Sequence, residues 1–425
     1  GIVAVAADHD AALTTEAPMT STIFENAKIL DTKAGSYSHG SVRVEGGRIA
    51  EVSSGALSGS ADRRIDLGGK VLMPGLCDGH VHVIAITAGF PDLIRSSPFY
   101  VMSRASKIMN EMLMRGFTTV RDAGGADYGI ARAVDEGHVA GPRVLFCGHA
   151  LSQTGGHGDM RSPGDIFEQN TMIHASLGVI CDGVPEVRRA CREEIRRGAH
   201  HIKIMASGGV SSPTDRIDSD QFSREEIAAC VEEAQMANLY VMAHAYTARS
   251  VSRCAELGVR TVEHCNRIDD ATAKLMRERG TYMVPTLSTY QALKDEGLAN
   301  GLSHAMLAKL DDVIEAGIRA VDMGVRAGVT QVYGTDLLGN MHRHQLNEFT
   351  LRSEVVTNAD LVRAATCNAA EAFMADGDFG VIAEGARGDL LVVEGDPLAD
   401  ISVLTKPDEM LSVIMKGGEF YKNTL

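Results

Sequence analysis

Short apolar runs rich in β-branched residues alternate with amphipathic stretches through the middle of the chain. Runs of this kind are typical of buried parallel strands, and the stretches between them have helical periodicity. The repeated strand-then-helix order predicts an α/β fold, a parallel (β/α)8 barrel of the TIM type. The predicted strands cover residues 76–83, 118–122, 144–148, 201–206, 240–244, 261–265, 282–287 and 331–335.

Two of the intervening helices carry boundary signals. Ser223 precedes a helix predicted over residues 227–236, and Glu226 completes a capping box with it. Another helix, predicted over Asp270–Arg279, should end at Gly280, because glycine closes a helix in the left-handed conformation without strain. A doubly wound open sheet is the alternative architecture, but the Gly-rich phosphate-binding turn after its first strand is missing.

Both ends of the chain show the alternating pattern of short strands separated by turn residues. Neither end alone has enough strands to bury a core. We therefore expect both ends to build one small β-sandwich beside the barrel. The expected domains are residues 22–73 and 380–425 for the small β domain and residues 74–375 for the barrel.

Composition narrows the class of protein. The chain has 425 residues, of which 44% are hydrophobic, so it can bury a large core. Its net charge of -15 opposes nucleic acid and anionic membranes as partners. The eight cysteines form no Cys-x-x-Cys pair and lie within apolar patterns, which favours a reduced compartment and hence the cytoplasm. If residues 1–7 are the remnant of a secretory signal, the protein is instead periplasmic or secreted.

Polar residues suited to metal binding stand at the ends of the predicted strands. His80 and His82 are one residue apart on the first strand and therefore point to the same side. The ends of parallel barrel strands converge on one mouth, and buried imidazoles or carboxylates are costly unless they are paired or bound to an ion. The sequence therefore predicts a metal centre. Its candidate ligands are His80, His82, Lys203, His244, His264 and Asp336.

Lys203 is the unusual member of this set, since an ammonium group would repel a cation. A neutral amine can capture carbon dioxide, and the resulting carbamate is a carboxylate equivalent able to bridge two metals. Burial near a divalent ion would lower the lysine pKa and favour that reaction. The alternative is an ordinary strand lysine with a packed stem and an amine that reaches water.

The ordered set of six residues resembles the amidohydrolase superfamily, in its binuclear metal subtype with a carbamylated lysine. The resemblance covers nearly the whole chain, including the split β domain and the closing pattern of residues 385–398. The segments TTVRDAGG, LSQTGGH, IKIMASGGV and HAYT are similar to those of the imidazolonepropionase-like metallodipeptidases. Those are Xaa-Pro and carboxypeptidase-like enzymes, and the amidohydrolases that hydrolyse ochratoxin A are similar.

The resemblance implies two divalent ions, expected to be zinc. It implies that His80 and His82 bind the more buried ion and that His244 and His264 bind the more exposed one. Lys203 would bridge them as its N6-carboxylated form. A metal-activated hydroxide would then attack an amide carbonyl.

Asp336 would also contact the buried ion and serve as the proton shuttle. Tyr246 and Arg253 resemble the family's clamp for a substrate carboxylate, with Arg249 as a substitute; the alternative for either arginine is a solvated helix face. His157, in a Gly-rich loop, is a candidate for stabilising the tetrahedral oxyanion. The alternative is a loop histidine that caps backbone groups.

Other residues near the strand ends are expected to have lesser roles. Tyr290, His342 and His344 are placed to line the pocket. Strand alternation predicts that Glu263, beside His264, points away from the mouth and is structural.

The expected function is hydrolysis of an amide or peptide bond to a C-terminal amino acid, with ochratoxin-like amides among the substrates. The expected partner is a small molecule that bears a carboxylate, and proteins of this kind are often homo-oligomers. A mononuclear deaminase or cyclic amide hydrolase is the main alternative, but it would not need Lys203. A lactonase or phosphotriesterase is a second alternative. A non-catalytic scaffold of the same fold is a third, but it would not need all six ligand positions filled.

Overall fold

The structure is a computed structural model that describes residues 20–165 and 175–425. Residues 1–7, considered above as a signal remnant, lie outside the described residues. The strands are β1 (Ser21–Asp31), β2 (Ser36–Glu45), β3 (Arg48–Ser53), β4 (Arg63–Asp66), β5 (Val71–Pro74), β6 (Leu76–Val81), β7 (Phe117–Asp122), β8 (Arg143–Leu145), β9 (Ala150–Ser152), β10 (Gly178–Ile180), β11 (Ile202–Met205), β12 (Val241–Thr247), β13 (Thr261–Arg267), β14 (Tyr282–Val284), β15 (Leu390–Val393), β16 (Leu411–Lys416) and β17 (Glu419–Asn423).

Helices occupy most of the connections between the central strands. The α-helices are α1 (Phe90–Arg95), α2 (Pro98–Met114), α3 (Tyr128–Asp135), α4 (Gly183–Arg196), α5 (Arg224–Met236), α6 (Ala248–Glu256), α7 (Asp270–Arg279), α8 (Leu287–Glu296), α9 (His304–Leu307), α10 (Asp311–Ala327), α11 (Asn347–Arg352), α12 (Asn358–Ala364), α13 (Cys367–Ala372) and α14 (Pro407–Met410). Short 3₁₀ turns cover Leu298–Asn300, Gly339–His344 and Ile401–Thr405.

The central strands form two parallel sheets. One has the order β6-β7-β8, and the other has the order β10-β9-β11-β12-β13-β14. All strand pairs in these two sheets are parallel, and helices lie between most of the successive strands, as parallel pairing requires a long crossover. Six of the predicted strands overlap β6, β7, β11, β12, β13 and β14, so the α/β prediction is confirmed for this region.

The predicted third strand, over residues 144–148, is wrong in its extent. The chain forms β8, leaves the extended conformation at Gly148 with φ +74°, and then forms β9. A Cβ at Gly148 would lie 1.9 Å from the Glu194 carboxylate, so the close approach of that side chain also requires glycine. The interruption lets β8 pair with β7 while β9 pairs with β11.

The predicted eighth strand, over residues 331–335, is a hydrogen-bonded segment with a single bridge at Gln331. Val332 donates its N–H to the Met283 carbonyl at 2.9 Å on one side. On the other side, Gly79 N–H donates to the Tyr333 carbonyl at 2.7 Å. The segment therefore lies between β14 and β6 and brings the following residue, Asp336, beside the end of β6.

Both helix-boundary predictions are confirmed. Ser223 and Glu226 make the reciprocal capping box before α5. Gly280 adopts the left-handed conformation at the end of α7, where its N–H bonds the last turn.

The strands from the two ends of the chain form one hydrogen-bonded sheet in the order β17-β16-β15-β5-β1-β2-β3, with β4 also paired to β1. The part predicted as a small β-sandwich is thus built on a connected sheet. Its core includes Phe24, Val42, Leu72, Leu390 and Val413, all fully buried. Since β5 is followed directly by β6, this sheet adjoins the first parallel strand.

The eight cysteines are all buried and free, as their apolar surroundings in the sequence predicted. A much larger apolar cluster fills the space within and around the parallel strands. Among the described residues, no helix has both the length and the apolar character needed to cross a membrane.

Candidate active site

Three of the predicted ligands meet where β6 ends. His82 Nε2 lies 3.2 Å from Asp336 Oδ1, and His80 Nε2 lies 3.4 Å from the same oxygen. One possible ligand atom from each residue falls within 4.8 Å of the others. Two imidazoles and a carboxylate at this spacing are suited to hold a divalent cation.

A second pair of histidines adjoins this group. The rings of His244, on β12, and His264, on β13, have centroids 4.6 Å apart, and His264 is 5.1 Å from His80. Lys203 projects from β11 and is 1% exposed. One pocket is lined by all six predicted ligands together: His80, His82, Lys203, His244, His264 and Asp336.

Backbone carbonyls fix the orientation of two of these imidazoles. His82 Nδ1 is 2.9 Å from the Gly124 carbonyl, and His244 Nε2 is 2.9 Å from the Gly208 carbonyl. Because a carbonyl only accepts hydrogen bonds, each of these nitrogens must carry the proton. The other nitrogens, His82 Nε2 and His244 Nδ1, are thereby left for the pocket, and such second partners are typical of histidines that bind metals.

Side chains fix the other two imidazoles. His80 Nδ1 lies 2.7 Å from Glu263 Oε2, and His264 Nδ1 lies 2.7 Å from Thr286 Oγ1. The carboxylate can only accept, so His80 Nδ1 carries a proton, and His80 Nε2 faces Asp336. Each of the four rings thus has one nitrogen engaged by the protein.

The contact with His80 adds to what the sequence predicts for Glu263. Glu263 does not line the pocket, but its side chain is fully buried and its carboxylate contacts His80. His264 and Cys265, within β13, adopt φ values of +76° and +58°. Asp336 has φ +53°. Non-glycine residues rarely adopt this conformation, and such strain concentrates at functional sites.

Burial and neighbouring charges set the electrostatics of the pocket. Burial lowers the pKa of Lys203, although the carboxylates of Glu263 and Asp336 oppose the shift. Burial alone would raise the pKa of Asp336, but the His80 and His82 imidazoles outweigh it and hold that pKa well below its usual range. The site thus combines a lysine amine that loses its proton more readily than usual with an ionised carboxylate.

His157 also reaches the pocket. Its ring stacks on His244 with centroids 4.2 Å apart, and its Nδ1 lies 2.7 Å from Ser212 Oγ. Ser212 in turn hydrogen bonds to the Asp215 carboxylate. On another side, the ring packs directly on Gly209, where a Cβ would come within 2.1 Å of it. The loop after β11 therefore holds His157 from two directions.

The two predicted members of the carboxylate clamp lie in different surroundings. The Tyr246 ring stacks on His264 at 5.2 Å, and Tyr290 donates a hydrogen bond to the Tyr246 hydroxyl at 3.1 Å. Arg253 instead donates to the Phe222 carbonyl and lies 3.6 Å from Asp220 Oδ2. Within residues 20–165 and 175–425, no hydrogen bond or ion pair joins Arg253 to Tyr246.

Arg249, the substitute for Arg253, forms an ion pair of 2.5 Å with Asp220. The other predicted pocket residues also have partners: His342 bonds the Ala85 carbonyl at 3.1 Å, and His344 pairs with Glu296 at 2.6 Å. Apolar side chains form much of the pocket wall instead. They are Phe90, Leu93, Ile94, Met160, Leu177, Met205 and Leu338.

Comparison with known proteins agrees with this geometry. Residues 71–419 match the model of the amidohydrolase family. The ochratoxinase of Aspergillus niger is 33% identical over 366 residues, which is 83% of this chain and 76% of that protein. Two solved structures match over 96% and 95% of this chain and 100% of their own. One is an amidohydrolase (45% identity, TM-score 0.93), and the other is a prolidase complexed with N-methylphosphonate-L-proline (44% identity, TM-score 0.92).

Proposed function

The chain belongs to the amidohydrolase family, and from that premise we propose that it hydrolyses the amide bond between an acyl or aminoacyl group and a C-terminal amino acid. The observation that carries the proposal is the convergence of six side chains, from strands far apart in sequence, on one pocket. The similarity to a prolidase and to ochratoxinase supports this class of substrate.

The donor set fits two divalent metal ions. His80, His82 and Asp336 would hold one ion, and His244 and His264 would hold the other. The fit rests on the chemistry of the rings, since each has one nitrogen engaged by the protein and the other left for the pocket. When bound, the ions would polarise the amide carbonyl and lower the pKa of water, and zinc is the expected metal.

Lys203 would join the two halves of the site as a carbamate. In that reaction the neutral amine forms a bond to the carbon of carbon dioxide and releases one proton, which leaves an anionic carboxylate equivalent. The full burial of Lys203 supports the step, because desolvation disfavours the ammonium form.

Asp336 is the proton carrier in the proposal. It would accept the proton of the attacking water and return it to the nitrogen of the departing amino acid. That second transfer is needed because an unprotonated amide nitrogen is a poor leaving group. The contacts of the carboxylate with His80 and His82 in the wall of the pocket support this role.

The apolar pocket wall favours a substrate with an uncharged acyl group on one side of the scissile bond. Seven apolar side chains line that wall, and they would exclude water from the acyl group. His157 would contact the carbonyl oxygen during the reaction. Its stacking on His244, one of the proposed metal ligands, supports this role.

Tyr246 would bind the carboxylate of the C-terminal amino acid. Its hydroxyl accepts a hydrogen bond from Tyr290, so its own proton remains available for an anion. Arg253 would act on this carboxylate site only indirectly, because its guanidinium binds the Phe222 carbonyl and Asp220. We propose that Arg253 supports the connection between β11 and α5 that forms one side of the pocket.

We further propose that the two parallel sheets close into an eight-stranded barrel. Residues 331–335 would complete it between β14 and β6, as their hydrogen bonds to both sides support. The division into a barrel over residues 74–375 and a β domain from both ends follows from the same arrangement. The expected homo-oligomer stays a prediction.

The test is a panel of N-acyl amino acids and dipeptides, with ochratoxin A included, incubated with the metal-loaded protein. Release of the C-terminal amino acid, measured by mass spectrometry, is the expected result. Asp336→Asn is the control for contaminating hydrolases. Analogues with the carboxylate blocked as an amide should be poor substrates. Absence of turnover across the panel, or equal turnover of blocked and free analogues, would contradict the proposal.

A further inference from the structure

A buried ion pair that the proposed reaction does not use lies directly behind His80, one of the proposed metal ligands. Glu263 and Arg121 are both fully buried, and Arg121 Nη2 lies 3.0 Å from Glu263 Oε1. The second oxygen, Glu263 Oε2, is the one that lies 2.7 Å from His80 Nδ1. The two carboxylate oxygens therefore serve different partners, one the guanidinium and the other the imidazole.

The guanidinium is itself held by several elements. Arg121 Nε donates to the Gly79 carbonyl at 2.8 Å, and Nη1 donates to Thr261 Oγ1 at 3.0 Å. Thr261 Oγ1 donates to Glu263 Oε1 at 2.7 Å. The guanidinium also lies 4.4 Å from the centroid of the Phe373 ring. These bonds connect β6, β7 and β13, so the position of the Glu263 carboxylate is determined on all sides.

Stability alone does not explain such a pair. Two ions buried in a protein interior lose their hydration, and apolar residues of similar volume often give equal or greater stability. The presence of this buried pair is explained if the Glu263 carboxylate has a partner whose orientation depends on it. Here that partner is the Nδ1–H of His80, whose other nitrogen faces Asp336 at 3.4 Å.

We propose that Glu263 is a positioning residue that orients His80 for metal binding, and that Arg121 fixes the carboxylate of Glu263. The inference rests on the proposed metal centre. A carboxylate that accepts Nδ1–H keeps the ring in one tautomer and makes Nε2 a stronger ligand. Nothing in the strand pattern shows this role, because alternation places Glu263 on the opposite face.

The test measures metal affinity directly. Glu263→Gln keeps the shape of the side chain and an oxygen that accepts Nδ1–H, but it removes the negative charge. Zinc affinity, measured by competition with a chromophoric chelator, should fall by about 10- to 100-fold. In protein loaded with cobalt(II), the visible absorption spectrum should also shift. Both readouts are independent of turnover.

Glu233→Gln is the matched control. Glu233 is also buried, and it pairs with Arg188 and Arg192 between α4 and α5, away from the pocket. This variant should keep the zinc affinity of the wild type. If Glu263→Gln binds zinc as tightly as the wild type does, the positioning role is overturned. If the wild type itself binds no divalent metal, the proposed function fails instead.

A second measurement covers the case in which Glu263→Gln does not fold. Nitrogen-15 spectra of the zinc-loaded wild type, labelled on histidine, report which ring nitrogen of His80 carries the proton. The resonance is assigned from its loss in His80→Asn. A protonated Nδ1 and a bare or metal-bound Nε2 support the positioning role. A protonated Nε2 overturns it.

Discussion

Adding a single methyl group at Gly209 should displace His157. A Cβ at this position would lie 2.1 Å from His157 Cε1, 2.4 Å from Nδ1 and 2.5 Å from Nε2. Gly209 is not among the residues with positive φ, and the three atoms nearest to the added Cβ all belong to the His157 ring. Gly209→Ala therefore tests whether the reaction depends on the position of the His157 imidazole.

The structure sets the size of the effect. Ordinary van der Waals contact begins at 3.4 Å, so the ring would have to retreat by about 1.3 Å. His244 blocks retreat on its stacked face at 4.2 Å, and movement would also lengthen the 2.7 Å bond to Ser212. Misplacement by about 1 Å can cost roughly 10²-fold in rate. Overpacking should lower the free energy of unfolding by about 1–3 kcal/mol.

The assay compares kcat/KM for one N-acyl amino acid in metal-loaded variants. Gly209→Ala should lose about 100-fold. Gly55→Ala, where nothing lies within 4 Å of the new Cβ, should be unchanged. In a His157→Ala background, Gly209→Ala should have little further effect, because the ring that it displaces is gone. Equal losses in both backgrounds, or no loss in the wild type, would refute the reasoning.

Three further predictions concern the proton carrier, the carboxylate site and a buried acid. Asp336→Asn should lower kcat by about 10²- to 10⁴-fold with an unchanged circular dichroism spectrum, and a kcat near that of the wild type would exclude Asp336 as the proton carrier. Tyr246→Phe should raise KM for carboxylate-bearing amides but leave turnover of uncharged esters intact; equal effects on both would argue against the clamp. Burial raises the pKa of Glu348 to about 7 from 4.5, so the folded state binds this proton more tightly. The free energy of unfolding should therefore fall by roughly 3 kcal/mol as pH rises from about 4.5 to 7. In urea titrations of Glu348→Gln, the free energy of unfolding should not show this fall. The same dependence of the free energy of unfolding on pH in the wild type and in Glu348→Gln would contradict the prediction.

The strand ends could be predicted from sequence because two local rules act there. Apolar runs mark the strands, and residues one apart on a strand share a face, so His80 and His82 were correctly placed together. The prediction that Lys203, His244 and His264 join them used a further expectation, that the strands form a barrel whose strand ends meet at one mouth. The structure brings these residues to one pocket, while their role as ligands stays a proposal.

Other features depend on contacts between distant parts of the chain. The contact of Glu263 with His80 could not be predicted, because it joins residues 183 positions apart. At the break in the third strand, Gly148 contacts the carboxylate of Glu194, which is 46 positions further along the chain. The support of His157 by the loop after β11 is likewise a tertiary contact. Hydrophobic periodicity carries no information on such contacts.

The most direct measurement of the central claim is an anomalous-scattering map of crystals grown with zinc and bicarbonate. It should show two anomalous peaks, one beside His80, His82 and Asp336 and the other beside His244 and His264. Density for a carboxylate on Lys203 Nζ should lie between them. A single peak, or an unmodified Lys203 in fully metal-loaded protein, would contradict the account.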